Sequence, residues 1–331
     1  MPTTRHKDLI PAEDTFSQNL EHTLRHSITT GAFTLPLTVV AAALAWAAPQ
    51  WDRAELWMGF MAALVLTYML MELNNRQQLL RIRSRMVSST FLLTLTACLW
   101  LHGISTIFLP AIALVAMYFL LFSAYQEPMA SGRVFYAFMV LAIALLWLPQ
   151  LVFLVPLLLF SLIVQLRSFS WRTFFAALLG VLVPLAYFAA WALWQRAFPD
   201  MLMPLFSLQP TLPTLQTFTL WQMVNAGWLL FLTLLALIHY YRTNFNDKIR
   251  VRMFFYIIIE VEVMLWAGLV FYPQSFDAFF LLLLVNTAPL TAHYFTRARG
   301  RWLMTAWFVF NILLLVFLGL YNYGLIPQIP R

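Results

Sequence analysis

Apolar runs of about 20 residues follow one another along nearly the whole chain, separated by short loops whose charge is almost all arginine. A run of that length crosses roughly 30 Å of hydrocarbon at about 1.5 Å per residue. Spans are expected at 30–48, 56–73, 87–103, 105–124, 134–149, 151–166, 173–194, 219–241, 253–272, 277–295 and 302–324. Two apolar stretches are too long for one crossing. The first divides at His102-Gly103, where glycine permits a tight turn. The second divides at Pro149-Gln150, where proline stops a helix. The fold expected is an all-α, polytopic transmembrane bundle of about 11 spans, forming one transmembrane domain over residues 30–331.

Arginine placement orients the bundle. With the N-terminus in the cytoplasm, 17 of the 20 basic residues fall on the inner side, and only Arg53, Arg196 and Arg331 fall outside. That asymmetry is the signature of cytoplasmic loops, and it puts the C-terminus in the periplasm. The chain is 62% hydrophobic and 10% charged, against about 25% charged for a soluble domain. The net charge of +7 lies in short loops between spans, so it marks topology rather than a nucleic-acid surface. Cys98 is the sole cysteine, which excludes an internal disulfide.

Residues 1–29 are polar, with Phe16, Leu20, Leu24 and Ile28 at four-residue spacing, which predicts a cytoplasmic amphipathic helix lying on the membrane. RIRSRM at 81–86 resembles KIRVRM at 248–253, and GRVFYAFMV at 132–140 resembles GRWLMTAWFV at 300–309. These matches suggest an internal repeat pairing spans 1–5 (about 30–149) with spans 7–11 (about 173–324) in the same orientation. The outer segment 195–218 carries four prolines yet contains the apolar piece 201–206, so it is expected to dip into the interface or to cover a cavity.

Ionisable groups inside lipid are costly and mark candidate sites. Glu260 and Glu262 lie within span 9, two residues apart and so about 200° around a helix, which excludes a paired-carboxylate dyad. Asn286 and His293 lie seven apart on span 10 and share a face, with Pro289 between them freeing a backbone carbonyl. Glu72 and His239 sit near inner ends of their spans, so a cluster of Glu72, His239, His293 and Glu260 on the cytoplasmic side is one expectation. Structural carboxyls and interfacial histidines are the competing reading of the same residues. No histidine pair has metal-ligand spacing, and no nucleotide-binding or hydrolase motif occurs, so no metal and no cofactor is expected. The basic inner loops suit anionic lipid headgroups as partners. On the outer side, Asp52, Arg196 and Asp200, with Arg53 and His102, are candidate contacts for a lipid-linked glycan, or else ordinary loop residues.

NNR at 74–76, SFSWR at 168–172 with GVLVPL at 180–185, NDKIRVRM at 246–253 and the run 276–295 together resemble an uncharacterised family of polytopic inner-membrane proteins of Gram-negative bacteria. That resemblance implies many spans and an inner-membrane location, and it brings no activity or site residue with it. The leading functional expectation is transporter- or flippase-like handling of an amphipathic or lipid-linked envelope substrate. It rests on the buried carboxylates, on spans 1, 4, 6, 7 and 10 being broken by proline, and on the apolar outer loop. A glycan or lipid transferase with an outer-face site and a non-catalytic membrane scaffold are the alternatives.

Overall fold

The structure is a computed structural model and describes residues 31, 33–47, 54–80, 84–103, 105–196, 210, 218–297, 302–322 and 324. The expected surface helix at 1–29, most of the 195–218 segment, and Arg81 and Arg83 lie outside the described residues. Among the described residues there are eleven α-helices and no strand. They are α1 (Thr34–Ala47), α2 (Ala54–Gln77), α3 (Met86–Thr96), α4 (Phe108–Ser123), α5 (Ser131–Trp147), α6 (Leu154–Val164), α7 (Trp171–Trp194), α8 (Leu220–Thr243), α9 (Ile249–Phe271), α10 (Phe276–Arg297) and α11 (Trp302–Asn322).

Five segments, containing α2, α7, α8, α9 and α10, are long and apolar enough to cross a membrane. The other helices are shorter. α3 and α6 have 11 residues each, or about 16 Å at helical rise, and are extended by 3₁₀ turns at Leu99–Leu101 and Pro149–Phe153. Both chain divisions fall where the sequence places them, at His102-Gly103 and at Pro149-Gln150.

The connections form two groups, each joined by contacts. At one end the Gln126 amide donates to the Leu166 carbonyl (2.8 Å), the Ser170 hydroxyl to Pro128 (3.1 Å) and Arg250 to Gln77 Oε1 (2.7 Å). At the other, Trp46 stacks on His102, Gln150 meets Ser275, and Trp100 packs on Trp221 at 4.3 Å. Helix starts are chemically marked where these loops turn. Ser170 forms a capping box with Thr173, and Thr219 forms one with Gln222.

The proline expectation needs correcting. Pro36, Pro110 and Pro156 are third residues of α1, α4 and α6, where the first-turn N–H has no intrahelical acceptor to lose. They start helices rather than break them. Pro184 and Pro289 alone of the five lie inside helices, and both helices continue through.

α10 is the hub. Its apolar window is 89% buried, against 17% for α7 at the periphery. α3, α4, α8 and α9 pack around it. The outward faces carry apolar side chains such as Leu37, Leu44, Phe175, Leu182, Phe231 and Val316, too much exposed hydrocarbon for a water-soluble surface. Close approach is built from glycine where backbones meet. A Cβ at Gly180 would sit 2.5 Å from the Phe135 carbonyl oxygen of α5, and one at Gly59 would sit 1.9 Å from that of His102.

α4 and α10 begin 168 residues apart, as do the 3₁₀ turns Ser105–Ile107 and Pro273–Ser275 that precede them. α2 and α8 each span 24 residues and begin 166 apart. α7 begins 137 residues after α1.

Candidate functional site

Glu262 lies about midway along α9 and is 1% exposed. Four neutral groups surround its carboxyl. Trp266, one turn on, donates its indole N–H to Oε1 at 3.1 Å, and Thr287 of α10 reaches the same oxygen at 2.7 Å. Asn286 donates its amide to Oε2 at 2.7 Å. The hydroxyl of Thr233 on α8 is a further hydrogen-bond neighbour. No cation pairs with this carboxyl among the described residues.

Asn286 ties three helices together. Its Nδ2 also donates to the Ile258 carbonyl of α9 at 2.9 Å, and its Oδ1 accepts from the Tyr118 hydroxyl of α4 at 2.6 Å. These partners fix the amide orientation, because a carbonyl can only accept, so the nitrogen must point at Ile258 and hence at Glu262. Tyr118 and Asn286 are 168 residues apart, the same offset as the starts of their helices.

Glu260 points elsewhere, as two-residue spacing on a helix requires. It accepts from Ser161 of α6 at 2.9 Å and from the Gln165 amide. Asn286 and His293 both face α9, the first at Ile258 and Glu262 and the second against the ring of Phe255 at 5.3 Å.

The expected cytoplasmic-side cluster does not form. Glu72 pairs with Arg76 one turn away at 2.6 Å. Glu260 is committed to α6. His293 instead bonds Asp247 at 3.1 Å, and Arg297 holds the other oxygen of that carboxylate. His239 lies near His293, with ring centres 6.0 Å apart. Only the partner of Glu72 stands one helical turn away; Glu260 and His293 bond residues brought to them by the packing of other segments.

Asp247 sits just after the 3₁₀ turn Asn244–Asn246 that joins α8 to α9, outside the spanning segments, and is nearly buried. Burial works to raise its pKa, but the hydrogen bond and charge contact of His293 and the guanidinium of Arg297 outweigh it and hold the carboxyl below its ordinary 3.8. A lowered folded-state pKa stabilises the fold above the unfolded value, and that stability is lost as pH falls through the folded value. Asp247→Asn should therefore lower the melting temperature in detergent at about pH 7, and the difference should shrink as pH falls below 3.8.

A partly open cavity lies between α3, α8, α10 and α11. Its wall is mostly hydrocarbon, including Leu232, Leu284 and Ala288, with Trp228 at one side. Thr287 is part of this wall, so the group that bonds Glu262 also faces the cavity.

Of the residues expected on the outer face, Asp52, Arg53 and Asp200 lie outside the described residues. Arg196 is exposed just beyond the end of α7, at a left-handed φ of 55°. His102 is no outer contact. It is fully buried and stacks on Trp46 with ring centres 3.4 Å apart. Sequence reasoning missed Tyr118, Thr287, Trp266, Asp247, Ser161 and Gln165. A signal existed for two of them: Trp266 is four residues from Glu262, and Thr287 adjoins Asn286. No group of three or more metal-ligating side chains occurs among the described residues. Comparison with protein-family models, with curated proteins and with solved structures returns no match to this chain, so the chemistry of the site is argued from its own geometry.

Proposed function

We propose that the chain threads the bacterial inner membrane about eleven times, N-terminus inside, and handles an amphipathic substrate in the manner of a transporter or flippase. The observation that carries this reading is the cavity between α3, α8, α10 and α11, whose Thr287 wall is bonded to a buried, unpaired carboxyl. A hydrocarbon-lined cavity between helices takes the apolar part of a ligand, and a few polar groups set its orientation. A carboxyl buried in a membrane protein without a cation marks a substrate or ion pathway. The matching offsets of α2 with α8 and of α4 with α10 favour two related halves meeting at Tyr118–Asn286, as in proteins that move substrate between repeats. Anionic headgroups against the arginine loops complete this arrangement.

The test is reconstitution. Purified protein in liposomes should speed the movement of fluorescent amphiphiles between leaflets. Ala288→Phe, which fills the cavity from its wall, should reduce that rate about tenfold, the scale of a blocked binding step. An unchanged rate in Ala288→Phe, or no movement of any zwitterionic or cationic amphiphile, would rule the reading out.

A further inference from the structure

We propose that the cavity between α3, α8, α10 and α11 selects lipophilic organic cations, and that each cation enters in exchange for the proton of Glu262. The inference rests on the reading of that cavity as a substrate site and adds the charge of what it takes.

The hydroxyls of the wall point to the sign of the charge. Thr90 donates to the carbonyls of Met86 and Val87, Thr94 to those of Thr90 and Phe91, and Thr291 to those of Thr287 and Ala288. Thr287 donates to Glu262. A hydroxyl has one hydrogen and two lone pairs, so Thr90, Thr94 and Thr291, whose hydrogens go to backbone carbonyls, can offer a ligand only acceptor oxygens. Asn311 of α11 adds an amide that can donate or accept, and the indole N–H of Trp228 is the other donor at the wall. A cation finds the threonine oxygens and the face of that same indole. Behind Thr287 stands a carboxyl with no cation of its own, which once ionised repels a phosphate-bearing headgroup and attracts a positive one.

The surroundings of Glu262 leave room for a proton to leave. Trp266 and Asn286 are fixed donors to the two carboxyl oxygens, whereas the hydroxyls of Thr287 and Thr233 can turn to accept. A carboxylic proton on Oε1 can therefore be held against Thr287 without breaking either fixed bond. When a cation enters, that O–H bond breaks, the proton passes by way of Thr287 to the cavity and out to water, and the carboxylate left behind balances the cation. One positive charge replaces another, so no isolated charge stays in the apolar interior. Among the described residues Tyr118 is the titratable group that faces this carboxyl from α4, α8 and α10. Glu260 turns to α6, and Asp277 and His293 lie towards opposite ends of α10.

The test uses purified full-length protein in detergent with tetraphenylphosphonium and tetraphenylborate, which match in size and differ in sign. The phosphonium should bind and the borate should not. Binding should weaken about tenfold per pH unit once Glu262 is protonated, as exchange for one proton requires. In weakly buffered solution a pH-sensitive dye should record about one proton released per phosphonium bound. Glu262→Gln should lose both the pH dependence and the proton release. The proton count is made on unaltered protein, so it decides the matter even if that variant fails to fold. Equal binding of borate, or phosphonium binding without proton release, overturns the proposal. Movement of zwitterionic lipid by protein that ignores phosphonium would leave the transport reading standing and remove this one. Phosphonium binding with proton release by protein that moves nothing would do the reverse.

Discussion

Gly59→Ala should unfold or misassemble the protein, with a loss of at least about 3 kcal/mol, at the upper end of the range for overpacking. The added methyl would lie 1.9 Å from the carbonyl oxygen of His102 and 3.1 Å from its carbon. Those atoms are backbone, so no side-chain rotation relieves the clash. α2 would have to back away from the turn that follows α3. That turn is itself held in place, since His102 lies flat against Trp46 of α1 and is fully buried. Moving α2 therefore disturbs three elements at once. Gly227→Ala is the matched control, because nothing lies within 4 Å of a Cβ there. It should be neutral or add up to about 1 kcal/mol from helix propensity. Thermal unfolding and elution of detergent-solubilised protein compare the two, and equal behaviour of the two variants would refute the packing argument.

Asn286→Leu should cost on the order of 3–5 kcal/mol. Three groups lose their partner together: the Tyr118 hydroxyl, the Ile258 carbonyl and Oε2 of Glu262. All are buried where no water replaces the amide. Leucine is close to asparagine in size, so the loss reports hydrogen bonding rather than a void. Adding Glu262→Met should then cost less than it does alone, with a coupling of about 1–3 kcal/mol, because one stranded oxygen is removed with its former donor. Additive losses in melting experiments would mean that the amide and the carboxyl act independently.

Much of the architecture can be read from the chain because lipid imposes few choices. Eleven apolar runs become eleven helices, and the two hidden divisions at His102-Gly103 and Pro149-Gln150 follow from local backbone chemistry. Helical geometry also separates Glu260 from Glu262 and aligns Asn286 with His293 before any packing is known. What the chain alone withholds is the choice of partner across helices. Glu260 has Gln165 as a neighbour and Glu262 has Asn286, and no periodicity distinguishes these from other polar residues at similar depth. Tyr118 looks like one more aromatic in an apolar run until its hydroxyl is found against a residue 168 positions away. Glu72 and His239 were assigned to a shared cluster by depth alone, whereas azimuth around the helix axis and a nearby arginine decide the outcome. The His102-Gly103 division makes His102 a candidate outer contact, whereas stacking on Trp46 draws it into the core.

The hub helix is synthesised late. α10 begins at Phe276, after nine of the eleven helices, yet those made earlier are the ones that wrap it. A nascent chain released from the ribosome before that point has assembled walls with nothing between them. Its early helices can already pair, α5 with α7 and α4 with α5, while the space meant for α10 is held open for lipid or a chaperone to occupy. Final closure is then a threading event that waits for the tenth helix, and quality-control proteases have their longest opportunity just before it.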